Sequence, residues 1–184
     1  MNLPNRLTIF RVILIPFFVV CMLNSFIAST AWGKYVAIAI FAVASITDLL
    51  DGKIARKYNL VTNFGKFMDP LADKLLVCSA LLCLCSPGIN IIPTWVVIII
   101  IARDFIISGF RLVAAEKGVV IAASMWGKVK TTIQMIMVII CILDLQFSFY
   151  KYIEYVFIYA ALALTVISLI ECIVKNKNVL SETK

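Results

Sequence analysis

YVAIAIFAVASITDLLDGKIARKYNLVTNFGKFMDPLAD, residues 35–73, holds the contradiction from which the fold is read. Residues 35–47 carry no charge and begin a helix suited to a bilayer, yet the run leads straight into Asp48 and Asp51. The chain then turns apolar again only past Asp69 and Asp73. An ionised side chain inside a span costs about 2.5–3.5 kcal/mol on insertion scales, so four of them cost on the order of 10 kcal/mol. Something must compensate these acids, and whatever does so is a functional ligand by default.

The flanking sequence supplies the bilayer. The 184 residues are 63% hydrophobic and 15% charged, with a mean hydropathy of +1.05. A soluble domain of this size has too much surface to hide that composition. Residues 12–33 and 75–102 are uncharged, the second run broken by Pro87-Gly88 and Pro93, and 131–143 and 155–170 form further apolar blocks. Such runs are too long and too unalternating for barrel strands, so helices satisfy the backbone in lipid. The expectation is an all-α integral membrane protein of six transmembrane helices, near 12–32, 35–57, 66–86, 93–115, 127–146 and 150–174. Residues 1–184 read as a single membrane domain without linker or internal repeat.

With six spans both termini lie on one side, together with fifteen of the seventeen basic residues; only Lys34 and Lys151 fall on the other. The positive-inside rule then makes both termini cytoplasmic. The net charge of +7 on one face suits anionic headgroups and phosphates rather than nucleic acid. The first span is too long for a signal peptide and lacks a distinct cleavage site. Cys21, Cys78, Cys83, Cys85, Cys141 and Cys172 sit in or near apolar runs at no metal-finger spacing, and read as packing residues.

Asp48 and Asp51 are three residues apart and share a helix face, and Gly52 and Ala55 leave room beside them. Asp69 and Asp73, four apart, share another face below Gly65. Two helices joined by a short connection pack antiparallel, so the pairs can converge. Converging carboxylates repel unless cations separate them, and a hard-oxygen set with no nearby His or Cys suits Mg²⁺ or Mn²⁺. Four carboxylates can hold two ions about 3.5–4 Å apart, a spacing suited to phosphoryl-type transfer. Plainer readings exist. Lys53 or Arg56 could neutralise the first pair, and Asp69 before Pro70 could be a helix N-cap.

From Asp48 to Asp73 the residues read D-x-x-D-G-x-x-A-R-x(8)-G-x-x-x-D-x-x-x-D, with Asp48, Asp51, Gly52, Ala55, Arg56, Gly65, Asp69 and Asp73 at the specified positions. This resembles the signature of the CDP-alcohol phosphotransferases. A chance match in a chain of this size has a frequency of about 10⁻⁸. The resemblance implies a six-helix membrane bundle, usually dimeric, with a polar cavity facing the cytoplasm, in which Asp48, Asp51, Asp69 and Asp73 bind two divalent cations and Asp73 is the general base. It further implies that Gly52, Ala55, Arg56 and Gly65 line the nucleotide site, with Thr62 near the CDP-lipid.

Two other segments resemble the bacterial phosphatidylglycerophosphate synthases of that family: NLPNRLTIFRVILIP from Asn2, and Arg103 to Thr131. In the first, Asn5, Thr8 and Arg11 are spaced by three, a stripe able to grip a nucleotide and its pyrophosphate. Arg11 snorkelling to headgroups is the plainer alternative. In the second, Arg103, Arg111 and Lys128 bracket a loop and could clamp an acceptor that carries its own phosphate. A local pair of Arg103 with Asp104 and a solvated Lys128 are the alternatives there. The resemblance implies CDP-diacylglycerol as donor, glycerol 3-phosphate as acceptor, membrane lipids and a second copy of the chain as partners, and the bacterial cell membrane as location. Phosphatidylglycerol, serine or inositol phosphate as acceptor, or cation transport, are the competing expectations.

Overall fold

The computed structural model describes residues 3–24, 31–57, 63–116, 121, 124–145 and 147–176, with the backbone alone at 3–4, 31, 48–57, 63–64, 66–67, 116 and 148. Among the described residues six helices run in chain order: α1 (Leu3–Leu23), α2 (Ala31–Lys57), α3 (Asn63–Leu84), α4 (Thr94–Glu116), α5 (Met125–Leu143) and α6 (Ser148–Lys175). The expected spans agree with five of these to within four residues at either end.

The first differs. It begins at Leu3 rather than near residue 12, and ends at Leu23 rather than near 32. The uncharged run began after Arg11, so counting charges displaced the helix. Arg11 is buried, as are Asn5 and Thr8, and the helix runs through all three. One face of α1 therefore carries Asn5, Thr8 and Arg11 and continues as Ile15, Phe18 and Met22, all buried. The opposite face shows Phe10, Ile13, Phe17, Val20 and Leu23 to the surroundings. Polar inside and apolar outside suits a helix whose outer solvent is lipid.

Among the described residues, three helices are long and apolar enough to cross a membrane: Asn5–Leu23, Met125–Leu143 and Phe149–Lys175, with Trp32–Thr47 a shorter apolar helix. The remaining helices, α3 and α4, are interrupted by charge: Lys66, Asp69, Asp73 and Lys74 in one, Arg103, Asp104, Arg111 and Glu116 in the other. Hydroxyls within the bundle donate to the carbonyl four residues back: Ser45 to Phe41 at 2.8 Å, Thr47 to Val43 at 2.5 Å, and Thr165 to Ala161 at 2.6 Å. A buried hydroxyl is satisfied in this way without leaving its own helix.

The contacts divide the chain into two compact units, residues 1–91 and 92–184. In the first unit α1 packs against both α2 and α3, while α2 and α3 touch each other only sparingly. Phe18 meets Phe41 with ring centroids 6.0 Å apart. Ala37, Ala44, Ala72 and Ala80 are fully buried, small residues that let backbones approach closely. In the second unit α6 packs along α5 and more lightly on α4. Its buried stripe, Glu154, Ile158, Ala161, Thr165, Ser168 and Cys172, alternates steps of four and three residues, the spacing of a knobs-into-holes seam.

Candidate active site

In the first unit, helix register decides what the acids can do. Because α3 begins at Asn63, Asp69 lies in its second turn and is not the N-cap. Both Asp69 and Asp73 are therefore truly helical and lie about 6 Å apart along the axis on one face. Pro70 sits inside the helix without breaking it. Asp69 and Asp73 are half-buried, Gly65 one turn earlier is buried, and the stripe continues through the buried Ala72, Leu76 and Ala80.

The α1 stripe meets this face. Thr8 Oγ1 donates to Asp69 Oδ1 at 2.5 Å across 61 residues of sequence. A hydroxyl donor to an ionised carboxylate makes a short, charge-assisted bond, and it fixes one Asp69 oxygen. Arg11, fully buried, does not snorkel to a surface.

Of the remaining signature residues, Asp48, Asp51, Gly52, Ala55 and Arg56 belong to the helical backbone of α2, and their side chains lie outside the described residues. Thr62 lies wholly outside them. The donor chemistry suits a hard cation: two half-buried carboxylates in register, in a chain with no histidine.

The second unit holds a cavity of about 280 Å³ whose polar walls include Arg103, Arg111, Ser124, Ser168 and Lys175. Ser124 is the N-cap of α5, accepting from the Gly127 amide at 3.0 Å. Arg103 reaches the cavity from a fixed position: Nη1 donates to Asp104 Oδ1 at 2.9 Å and Nη2 to Ser168 Oγ at 2.8 Å. Lys130 Nζ donates to both oxygens of Asp104, at 2.7 and 2.8 Å. Lys175 pairs with Glu171 at 2.6 Å.

Arg103 and Arg111, 57 or more residues from the α6 groups in sequence, thus share one cavity with Ser168 and Lys175. Lys128 follows the cavity's Gly127 but is exposed and not part of its wall. The local pairing of Arg103 with Asp104 is present, yet it does not withdraw Arg103 from the cavity. Asp104, Lys130, Ser168 and Lys175 were missed from sequence. Asp104 and Lys130 do fall in the segment from Arg103 to Thr131, but nothing in a string of residues pairs two positions 26 apart.

The family model for CDP-alcohol phosphatidyltransferase matches residues 1–167. A Bacillus subtilis (strain 168) protein named CDP-diacylglycerol–glycerol-3-phosphate 3-phosphatidyltransferase is 50% identical over 149 residues, 74% of either chain. A Haemophilus influenzae protein of the same name is 41% identical over 175 residues, covering 92% of this chain and 90% of its own. A Rickettsia felis protein, again of that name, is 41% identical over 156 residues, covering 84% of this chain and 82% of its own.

Proposed function

The chain belongs to the CDP-alcohol phosphatidyltransferase family, and from that premise we propose that it transfers the phosphatidyl group of CDP-diacylglycerol to sn-glycerol 3-phosphate, releasing CMP. The relatives' shared name supports the donor and acceptor together. The observation that carries the acceptor is the cavity in the second unit, walled by Arg103, Arg111 and Lys175. A phosphate monoester carries close to two negative charges at neutral pH. Guanidinium groups grip such a phosphate through paired N–H donors, while the charge of Lys175 is offset by Glu171. Serine or phosphatidylglycerol as acceptor would give this cavity no phosphate monoester to hold. Lys128, exposed beside Gly127, contributes attraction at longer range.

Asp48, Asp51, Asp69 and Asp73 would hold two divalent ions, Mg²⁺ or Mn²⁺. When bound, these supply charge neutralisation at the pyrophosphate. Thr8 orients Asp69 through its hydroxyl. Asn5, Thr8, Arg11, Gly52, Ala55, Arg56, Thr62 and Gly65 would bind the CDP-lipid, with Gly52, Ala55 and Gly65 leaving space where backbone approaches ligand.

In the reaction, Asp73 takes the proton of the acceptor's free hydroxyl. That oxygen forms a bond to the phosphorus bearing the diacylglycerol. The bond from that phosphorus to the bridging oxygen breaks, and CMP leaves with the electron pair. Binding both substrates supplies much of the rate through orientation.

Residues 1–184 would work as one catalytic domain, crossing the bacterial cell membrane several times with both termini cytoplasmic, as a homodimer. The test is CMP release by purified protein from CDP-diacylglycerol and Mn²⁺ with glycerol 3-phosphate, serine, inositol phosphate or phosphatidylglycerol. Release with glycerol 3-phosphate is expected. Release only with another acceptor overturns the substrate, and metal flux in proteoliposomes without CMP release overturns the enzyme.

A further inference from the structure

Asp104 poses a problem for any anion site, because a carboxylate 2.9 Å from the guanidinium of Arg103 should cancel the charge that an incoming phosphate needs. The geometry resolves it. Lys130, with only 3% of its side chain exposed, lies 2.7 and 2.8 Å from the two Asp104 oxygens. It balances the carboxylate, so the trio Arg103, Asp104 and Lys130 keeps one net positive charge. That charge faces the cavity through Arg103.

The orientation of Arg103 is also fixed at both ends of its fork. Asp104 Oδ1 accepts from Nη1 and Ser168 Oγ accepts from Nη2. Ser168 spends its own hydroxyl proton on the Thr165 carbonyl at 3.0 Å, so towards Arg103 it can only accept. A guanidinium has five N–H donors. Two are used here, Nε is buried without a partner, and one N–H on each Nη remains in a plane held by the two bonds.

We propose that Asp104, neutralised by Lys130, is a positioning residue that holds the Arg103 guanidinium in the orientation that receives the acceptor's phosphate. The proposal rests on the glycerol 3-phosphate reading above. Asp104 touches no substrate and acts through Arg103. A buried ion pair deprived of one member leaves an uncompensated charge that costs several kcal/mol, so the charge-balanced double variant D104N/K130Q accompanies the single Asp104→Asn.

The experiment measures CMP release by the full chain in detergent with Mn²⁺, varying glycerol 3-phosphate and CDP-diacylglycerol separately, with the melting temperature as a check on folding. The expected result is a rise of about tenfold or more in KM for glycerol 3-phosphate. The kcat and the KM for CDP-diacylglycerol should stay within about twofold. In an Arg103→Ala background, adding Asp104→Asn should change the acceptor KM by less than about twofold, because the group it positions is gone.

Equal rises in both KM values, a fall in kcat alone, or full additivity with Arg103→Ala overturns the positioning role. So does failure of both variants to fold, which makes the network structural. Wild-type protein that releases no CMP with glycerol 3-phosphate overturns the proposed function and this inference with it. Active wild type with an undivided effect in the variants overturns this inference alone.

Discussion

The two units treat a half-buried carboxylate in opposite ways. In the first, Asp69 accepts from a neutral hydroxyl, Thr8, which brings no charge. In the second, Asp104 accepts from two cations, Arg103 and Lys130, which offset its charge. Around Asp69 the described bond adds no positive charge, whereas the trio of Arg103, Asp104 and Lys130 keeps one. Both arrangements arise from the same device, a helix stripe that is polar over some turns and apolar over the rest, such as Asn5-Thr8-Arg11 running into Ile15-Phe18-Met22. What differs is the partner of the acid, a neutral hydroxyl in one unit and two cations in the other.

The largest expected effect tests the first unit. Chelating divalent ions should stop CMP release, and Mg²⁺ or Mn²⁺ should restore it; turnover that persists in chelator breaks the contrast between the units. Asp73→Asn should lower kcat by about 10²–10⁴-fold while binding of CDP-diacylglycerol is retained, as measured by equilibrium binding. Unchanged turnover would remove Asp73 as the base.

A smaller effect belongs to the second unit. Arg111→Ala should raise KM for glycerol 3-phosphate about tenfold or more, and KM for the donor much less. Equal effects would show that the cavity does not divide acceptor from donor. Thr8→Val, which removes the hydroxyl from Asp69, should cost about tenfold in kcat/KM, with Thr8→Ser close to wild type. An inert Thr8→Val would mean that Asp69 needs no orientation. The smallest change is expected for Lys128→Ala, within about twofold and weaker at high salt, since the side chain is exposed outside the cavity.

Much of this was legible in the residue string. The acid signature from Asp48 to Asp73 pointed to the family, because eight specified positions within 26 residues rarely coincide. Five helices were located to within four residues, since their apolar runs and their helical extents nearly coincide. The first helix was displaced because Arg11 was read as a boundary, whereas burial in the bundle makes it part of the helix interior. Arg103 and Arg111 were found as cations near one loop. Lys175 was not linked to them, because it stands in the last turn of α6, 64 residues beyond Arg111.

The order of residues by itself determined the solvent, the helices and the chemical types, because these depend on composition and local spacing. It placed Asp69 and Asp73 four apart, and a helix does the rest. Tertiary structure alone decided which charges cancel. The bonds from Thr8 to Asp69, from Lys130 to Asp104 and from Arg103 to Ser168 join residues 61, 26 and 65 positions apart. Electrostatic energy depends on distance in space and on burial, and a linear sequence carries neither until the helices pack.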